Sequence, residues 1–250
     1  ILMLSGIKDI LIISTPKETP RFKDLLGDGT RLGIKLEFAI QKEPKGIAES
    51  FLIGKKFIGN ENVCLVLGDN IFYGYNLTEL LNECSSLNEG GIVFGYYVKD
   101  PQRYGVIEFD NNCNVISIEE KPKKPKSNYA VCGLYFYDNS VLKIVTDLKP
   151  SKREELEITD VNNEYLKMNK LKVKLLSRGF AWLDTGTHEA LIDASIFIKT
   201  VEERQGLKIG CIEEVAYRMG YINKKELTVI AKVINTEYGE YLKRICRDER

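Results

Sequence analysis

The sequence predicts an α/β fold with a mixed central sheet and a helical C-terminal appendage. Strand-sized apolar runs alternate with segments of near-helical spacing over the first 110 residues, strand signals dominate 104–137, and helical spacing follows residue 189. Alternation of this kind is typical of parallel sheets covered by helices on both faces. No repeat or Gly/Pro-rich linker divides the chain. We therefore predict one α/β domain over 1–188 and the helical appendage over 189–250.

The predicted elements follow the chain in order. Short runs rich in branched aliphatic and aromatic residues predict strands at 10–14, 36–40, 63–67, 92–98, 106–109, 115–118 and 171–176. Asn111-Asn112 is typical of the hairpin turn between 106–109 and 115–118. Apolar residues three and four apart predict helices at 45–57, 77–87, 189–201, 213–219, 224–234 and 238–246.

Composition excludes several classes of protein. The 250 residues carry 36 Lys+Arg against 36 Asp+Glu, which gives no electrostatic case for nucleic acid or an anionic membrane. No apolar run approaches the roughly 18 residues of a transmembrane helix. Six cysteines without a Cys-x-x-Cys pair, and His188 as the single histidine, do not predict a zinc site, a disulfide framework or a nucleophilic hydrolase. We expect a cytoplasmic protein with reduced thiols.

The sharpest local motif is Gly68-Asp69-Asn70, directly after the strand at 63–67. Ligands of open α/β sheets lie beyond the carboxyl ends of strands, where an aspartate can hold a divalent cation against a phosphate. The same three residues are also ordinary turn formers, and the tripeptide alone favours that interpretation. Asp184 follows another apolar strand, beside Thr185 and Thr187, either of which can cap the next helix. Two such aspartates suit Mg²⁺, which needs only one or two carboxylates.

Two further segments carry polar residues at the ends of predicted strands. Strand alternation places Ile116, Ile118 and Glu120 on one apolar face, so Glu120 needs a partner or a hydroxyl-rich ligand. Lys121 precedes a proline that we expect to keep the chain extended, and it offers a compact positive charge to a phosphate. A solvated basic loop is the alternative, which we prefer for Lys123, Lys124 and Lys126.

A strand-to-helix turn runs over 41–48. Gly46 allows close approach of the chain, and Gln41 offers a donor and an acceptor to the edge of a base. As a pattern this segment alone is weak.

The ordered set of motifs resembles the glucose-1-phosphate thymidylyltransferases, within the sugar-1-phosphate nucleotidyltransferases. Each motif is weak alone, whereas their order and spacing are specific. The matching segments are Thr19-Pro20-Arg21-Phe22, Leu65-Val66-Leu67-Gly68-Asp69-Asn70-Ile71-Phe72-Tyr73-Gly74, Arg103-Tyr104-Gly105-Val106, Glu119-Glu120-Lys121-Pro122, Gly133-Leu134-Tyr135-Phe136-Tyr137-Asp138, Leu156-Glu157-Ile158-Thr159-Asp160, Trp182-Leu183-Asp184-Thr185-Gly186-Thr187-His188 and Glu202-Glu203-Arg204-Gln205-Gly206.

The resemblance implies a Rossmann-like nucleotidyltransferase fold and a Mg²⁺-dependent reaction. In this reaction dTTP and glucose 1-phosphate give dTDP-glucose and pyrophosphate, in dTDP-rhamnose biosynthesis, and the enzyme is a homotetramer. By the same resemblance, Asp69 and Asp184 are metal ligands and, with Lys121, the catalytic residues. Contacts to the base fall to Gln41 and Gly46. The sugar-phosphate pocket is lined by Tyr104, Gly105, Glu120, Lys121 and Val131.

Two departures from the family pattern matter. Family members open with a Gly-Gly-x-Gly-Thr-Arg-Leu loop and a downstream lysine, and this chain begins at Ile1 without them. Gly27-Asp28-Gly29-Thr30-Arg31-Leu32 imitates the loop, but we assign it no catalytic role. We expect a chain that lacks its first segment, and its own turnover stays open. At Tyr75 many family members have a histidine, in what the family uses as a second nucleotide-sugar site, so feedback binding also stays open. The alternatives are a non-catalytic binding module and a uridylyltransferase.

Overall fold

The computed structural model describes residues 1–247, which form two compact units. The first unit contains Ile1–Ile40 and the described residues from Ser195 on, and the second is Gln41–Ala194. In the first unit, Leu32 and Ile34 share a core with Leu227 and Leu242 of the C-terminal helices. The predicted domains, 1–188 and 189–250, stay a prediction.

The described residues contain ten strands and ten α-helices. The strands are β1 (Asp9–Ser14), β2 (Lys35–Ile40), β3 (Val63–Val66), β4 (Asn70–Tyr73), β5 (Gly91–Tyr97), β6 (Gly105–Phe109), β7 (Val115–Glu120), β8 (Tyr129–Tyr137), β9 (Leu171–Leu176) and β10 (Ala181–Asp184). The helices are α1 (Thr19–Leu26), α2 (Glu49–Ile53), α3 (Lys55–Ile58), α4 (Leu77–Ser85), α5 (Val141–Asp147), α6 (Ile158–Lys167), α7 (His188–Gln205), α8 (Ile212–Arg218), α9 (Lys224–Val233) and α10 (Glu237–Arg247).

The second unit is built on a six-stranded mixed sheet in the order β7-β6-β8-β5-β9, with β3 also paired to β8. The mixed sheet of the predicted fold class is thus confirmed. Parallel pairing of the early strands is wrong except for β1 with β2, which form a separate two-stranded sheet. In the main sheet β5 and β9 are the one directly paired parallel couple among the described strands. The strands β3, β5 and β6 each pair with β8 in the antiparallel sense. Hydrophobic periodicity identifies strands but contains no information on their direction or partner.

The hairpin predicted at Asn111-Asn112 is confirmed between β6 and β7. Its turn is held by Asp110, whose carboxylate accepts the backbone N–H groups of Asn112 and Asn114, both at 2.8 Å. The alternation predicted along β7 is wrong at Ile116. The register shifts there, because Phe109 pairs with Val115 and Glu108 with Ser117. This bulge leaves Ile116 56% exposed, whereas Ile118 is buried.

The helix predicted at 45–57 is instead the two short helices α2 and α3, which meet at Gly54. The helix predicted from residue 189 is confirmed as α7. Thr187 accepts the Ala190 N–H at 3.2 Å, as an N-terminal cap does, while Thr185 bonds elsewhere. The three C-terminal helices α8, α9 and α10 are also confirmed.

Within residues 1–247 the six cysteines are free thiols, and no helix has the length and apolarity to cross a bilayer.

Asp138 anchors the core of the second unit at the end of β8. Its carboxylate accepts the Gly90 N–H at 2.6 Å, the Tyr165 hydroxyl at 2.7 Å and the Ser140 N–H at 3.0 Å. Burial alone raises the pKa of Asp138, but these hydrogen bonds, the one from Gly90 foremost, outweigh it and hold the pKa below its usual value. The bonds therefore contribute stability above about pH 4, which is lost as the pH falls through the lowered pKa.

We expect Asp138→Asn to lower the free energy of unfolding by about 1–3 kcal/mol at neutral pH, because an amide places a donor among donors. Urea denaturation at several pH values measures this loss. The difference between variant and unaltered protein shrinks as the pH falls below about 4. Asp147→Asn, at an exposed position, is the matched control. An equal loss in both variants, or a pH-independent difference, contradicts the prediction.

Candidate functional site

Pairing of β10 with β4 brings the two predicted metal-ligand carboxylates together. The strands are antiparallel, with Asp184 opposite Asn70, so Asp69 lies one residue from the pair. The Asp69 carbonyl accepts both the N–H and the hydroxyl of Thr185, at 2.9 and 2.8 Å. Residues 115 positions apart in the chain are thereby fixed side by side through their backbones.

The two carboxylates face a common gap beside Gly186. A Cβ atom at Gly186 lies 3.1 Å from Asp184 Oδ1 and 3.6 Å from Asp69 Oδ2, so both oxygens border the space that a side chain there occupies. The Gly186 N–H donates to Asp184 Oδ1 at 3.1 Å. Glycine leaves this space open.

The donor set of the gap is small. Among the described residues there is no group of three or more His, Cys, Asp and Glu side chains arranged to hold a metal ion. Two carboxylates alone do not complete a structural metal site. They do fit an ion such as Mg²⁺, which takes one or two carboxylates and completes its shell with water and phosphate oxygens.

The five predicted pocket residues come together where β6, β7 and β8 meet. Gly105 pairs with Glu120, and the Lys121 N–H donates to the Tyr104 carbonyl at 3.0 Å. A Cβ atom at Gly105 lies 3.4 Å from Glu120 Oε2 and 3.9 Å from the Cβ atom of Val131. The absence of a side chain at Gly105 thus keeps the space above Glu120 accessible.

Lys121 does not continue the extended strand, so the expectation drawn from the following proline is wrong. Its φ angle is +43°, in the left-handed region that residues other than glycine seldom adopt. Pairing of β7 ends at Glu120, and the chain turns at Lys121 while its N–H remains bound to Tyr104. Lys121 Nζ lies 4.0 Å from Glu120 Oε1, so the ammonium and the carboxylate share the pocket.

Two residues without a predicted role, Thr159 and Arg153, contact Glu120. The Thr159 hydroxyl donates to Glu120 Oε2 at 2.6 Å. Arg153 Nη2 lies 3.7 Å from Glu120 Oε1 and 2.8 Å from Glu157 Oε2. Thr159 and Glu157 belong to a matching motif of the resemblance, which was the available signal. These contacts supply the partners that the half-buried Glu120 requires.

Tyr104 connects the pocket to the carboxylate pair. Its ring lies 5.1 Å from that of Trp182, two residues before Asp184. Burial raises the pKa of Tyr104, and the nearby Asp184 carboxylate adds to this while Arg103 opposes it. The carboxylate gap and the Glu120 pocket are therefore neighbouring parts of one site.

Gln41 and Gly46 form a separate turn that contacts the segment before Thr159. Gly46 has a φ of +97°, and a Cβ atom there overlaps the Leu156 carbonyl oxygen, so the packing of the chain itself requires glycine. Gln41 Nε2 donates to the Gly46 carbonyl at 3.2 Å and to Glu49 Oε2 at 2.7 Å. These contacts use both amide hydrogens and leave the Gln41 side-chain oxygen as an acceptor for a ligand.

Other predicted positions lie outside these contacts. Tyr75 is 86% exposed. The Gly27–Leu32 segment forms a turn in which Asp28 accepts the Thr30 N–H at 3.0 Å, and Arg31 Nη2 lies 3.6 Å from Glu213 Oε1.

Comparison with known proteins identifies relatives along the chain. A family model described as nucleotidyl transferase matches residues 1–201. A glucose-1-phosphate thymidylyltransferase from Neisseria gonorrhoeae is 53% identical over 243 residues, covering 97% of this chain and 84% of the relative. One from Mycobacterium tuberculosis is 51% identical over 242 residues, with coverage of 96% and 84%.

Solved structures agree with these sequence relatives. A crystal structure of a Bacillus anthracis protein described as a glucose-1-phosphate thymidylyltransferase, in complex with sucrose, superposes with a TM-score of 0.72 at 39% identity, over 78% of each chain. UDP-glucose pyrophosphorylase in complex with UDP-glucose gives a TM-score of 0.65 at 24% identity, over 79% of this chain and 83% of the other, and shows the fold alone.

Proposed function

This chain belongs to the nucleotidyl transferase family, and from that premise we propose that it transfers a deoxythymidylyl group from dTTP to glucose 1-phosphate. The products are dTDP-glucose and pyrophosphate. Relatives at about 50% identity over nearly the whole chain have this activity in their name. The observation that carries the proposal is the pair Asp69 and Asp184 next to a pocket that contains Glu120 and Lys121.

The reaction is an in-line displacement at phosphorus. A phosphate oxygen of glucose 1-phosphate forms a bond to the α-phosphorus of dTTP, and the bond from that phosphorus to the bridging oxygen of pyrophosphate breaks. The protein needs to form no covalent intermediate, so catalysis depends on orientation and on neutralisation of charge.

We assign Mg²⁺ to Asp69 and Asp184, whose oxygens border the gap at Gly186. When bound, the ion neutralises phosphate charge and orients the reacting oxygens. The protein's own contribution there is to hold two carboxylates in place through backbone contacts.

Glu120 and Lys121 act on the sugar phosphate. The Glu120 carboxylate accepts hydrogen bonds from glucose hydroxyl groups, and the Thr159 hydroxyl fixes its orientation. The Lys121 ammonium attracts the attacking phosphate and holds it in line. Tyr104, Gly105 and Val131 form the wall of the pocket, with Gly105 leaving space for the sugar.

Gln41 recognises the pyrimidine base of the nucleotide. Its side-chain oxygen accepts from the N3–H group of a pyrimidine dione, which thymine and uracil share and cytosine lacks. Gly46 shapes the turn that holds Gln41. Burial of the thymine methyl group in an apolar contact favours binding of thymine over uracil by only about 1 kcal/mol.

The proposal is tested by measuring pyrophosphate release by the protein with glucose 1-phosphate and Mg²⁺, using dTTP and UTP in parallel. With the upstream Gly-Gly-x-Gly-Thr-Arg-Leu segment of the family present, we expect turnover with both nucleotides and a preference for dTTP. A clear preference for UTP keeps the chemistry and overturns the nucleotide assignment. Calorimetry completes the test, because binding of glucose 1-phosphate without turnover supports a non-catalytic module instead.

We further propose a cytoplasmic homotetramer that acts in dTDP-rhamnose biosynthesis. Support for self-association comes from α7, on which Leu191, Ile192 and Ile196 are 51%, 58% and 59% exposed. Apolar helix residues of this kind favour burial against another surface. Light scattering measures the mass in solution, and a monomer at micromolar concentration contradicts the tetramer.

Glu120→Gln is expected to raise KM for glucose 1-phosphate by roughly 10-fold to 100-fold and to leave KM for dTTP nearly unchanged. The amide keeps the shape of the side chain but loses the charge-assisted hydrogen bonds, which contribute about 1.5–3 kcal/mol each. Steady-state kinetics with each substrate varied in turn measures both constants. Glu119→Gln, the neighbouring residue on the same strand, is the matched control. An equal change in KM for both substrates contradicts a sugar-specific role.

A further inference from the structure

Asn70 lies between the Asp69 carboxylate and strand β10. Its side-chain oxygen accepts two hydrogen bonds, from the indole N–H of Trp182 at 2.7 Å and from the Gly133 N–H at 3.0 Å. Its side-chain nitrogen donates to Asp69 Oδ1 at 2.8 Å. One amide thus connects a residue of β10, a residue of β8 and the carboxylate beside the gap.

The two donors determine which way the amide points. An indole N–H and a backbone N–H can only donate, so the atom on which both converge must be the Asn70 oxygen. Reversing the amide places its NH₂ group against two other donors. The NH₂ group is therefore directed at Asp69, and this direction is set by residues 63 and 112 positions away in the sequence.

The residues around Asn70 hold its side-chain oxygen against the Gly133 N–H and the Trp182 indole N–H. A Cβ atom at residue 133 lies only 2.6 Å from Asn70 Oδ1, so glycine is required there. Trp182 is buried, and its ring packs against Tyr104 at 5.1 Å and Tyr96 at 5.8 Å. The indole donor consequently has little freedom to leave Asn70.

The hydrogen bond from Asn70 makes the two Asp69 carboxylate oxygens different. Oδ1 is occupied by the amide, whereas Oδ2 is the oxygen that borders the gap, 3.6 Å from the Cβ position of Gly186. A carboxylate held in this way offers a cation one oxygen. Mg²⁺ and ions of similar size accept single carboxylate oxygens in octahedral shells, whereas Ca²⁺ often takes both oxygens of a carboxylate.

We propose that Asn70 is a positioning residue, oriented by Trp182 and Gly133, that makes Asp69 a one-oxygen ligand and so favours a small divalent cation over Ca²⁺. The inference rests on the proposed function, since it assumes that Asp69 and Asp184 hold the ion. Partners that orient a metal ligand typically change metal affinity by about 10-fold to 100-fold when they are removed.

The test measures binding of Mn²⁺ and Ca²⁺ to the protein saturated with dTDP-glucose, Mn²⁺ by electron paramagnetic resonance and Ca²⁺ by competition. Asn70→Leu removes the donor to Asp69 with little change in size. Trp182→Phe removes the indole N–H together with part of the buried ring and leaves Asn70 in place, so it decides the question if Asn70→Leu does not fold. Asn139→Leu is the matched control, because Asn139 bonds the Gly59 and Glu61 carbonyls and not Asp69.

We expect Asn70→Leu to weaken Mn²⁺ binding by about 10-fold or more and to reduce the preference for Mn²⁺ over Ca²⁺, with a smaller change of the same sign in Trp182→Phe. Asn139→Leu retains the unaltered affinity and preference. An equal loss for both ions indicates a structural role only, and it overturns the proposal, as does unchanged Mn²⁺ binding. If the unaltered protein binds no Mn²⁺ with dTDP-glucose present, the metal assignment itself fails, which is a separate result.

Discussion

Asp184→Asn is expected to lower pyrophosphate release by about 10³-fold while the protein remains folded. The side chain keeps its size, and its amide oxygen can still accept the Gly186 N–H. The lost charge, however, leaves Asp69 as the single carboxylate at the gap. Neutralisation of phosphate charge by a fixed site is a large part of catalysis in phosphoryl transfer, so its loss acts on kcat.

Turnover at saturating dTTP and glucose 1-phosphate measures this effect, with the melting temperature as the check on folding. Asp193→Asn removes the same charge at an exposed position of α7 and serves as the matched control. We expect the control to have the turnover of the unaltered protein. If Asp184→Asn also retains full turnover, Asp184 is not a ligand, and the assignment of the carboxylate pair is wrong.

Gly186→Ala is expected to reduce turnover by about 10²-fold although it removes no functional group. The added methyl carbon lies 3.1 Å from Asp184 Oδ1, closer than an ordinary van der Waals contact, and 3.6 Å from Asp69 Oδ2. One carboxylate must turn away, or the space for the cation is lost. Displacement of a reacting group by about 1 Å is enough to cost about 10²-fold in rate. The Gly186 backbone lies outside the left-handed region, so alanine adds no backbone strain.

Mn²⁺ affinity and melting temperature distinguish this steric effect from unfolding. We expect weaker Mn²⁺ binding at an unchanged melting temperature. If Gly186→Ala binds Mn²⁺ normally but turns over slowly, the added methyl group clashes with the substrate and not with the cation. Normal turnover in Gly186→Ala contradicts the cation site at this gap.

Local sequence patterns predicted several single elements correctly, but they did not predict which strands pair or which residues contact each other. The strand before Asp69, the turn at Asn111-Asn112 and the cap at Thr187 all depend on neighbouring residues, and the structure confirms them. Local pattern missed the bulge at Ile116 and the left-handed turn at Lys121. Both arise where pairing with another strand ends or shifts, and a single strand's sequence does not specify its partner.

The Glu120 pocket shows the same division. Sequence placed Glu120 at the end of an apolar strand and predicted that it needs a partner. It did not identify Thr159 or Arg153, because those residues reach Glu120 through the packing of segments more than 30 residues away. The turn at 41–48 likewise indicates that Gly46 allows close approach of the chain. The sequence does not reveal that the approaching segment is the backbone of Leu156.

The α/β class, the family resemblance and the residue types of the site follow from periodicity and ordered motifs, which are properties of the chain. The pairing of β4 with β10, the single gap bordered by Asp69 and Asp184, and the hold of Trp182 and Gly133 on the Asn70 amide became known from the folded molecule. The difference arises from distance along the chain. These contacts join residues 63 to 115 positions apart, and hydrogen bonds formed at such separations exist only once the strands have found their register.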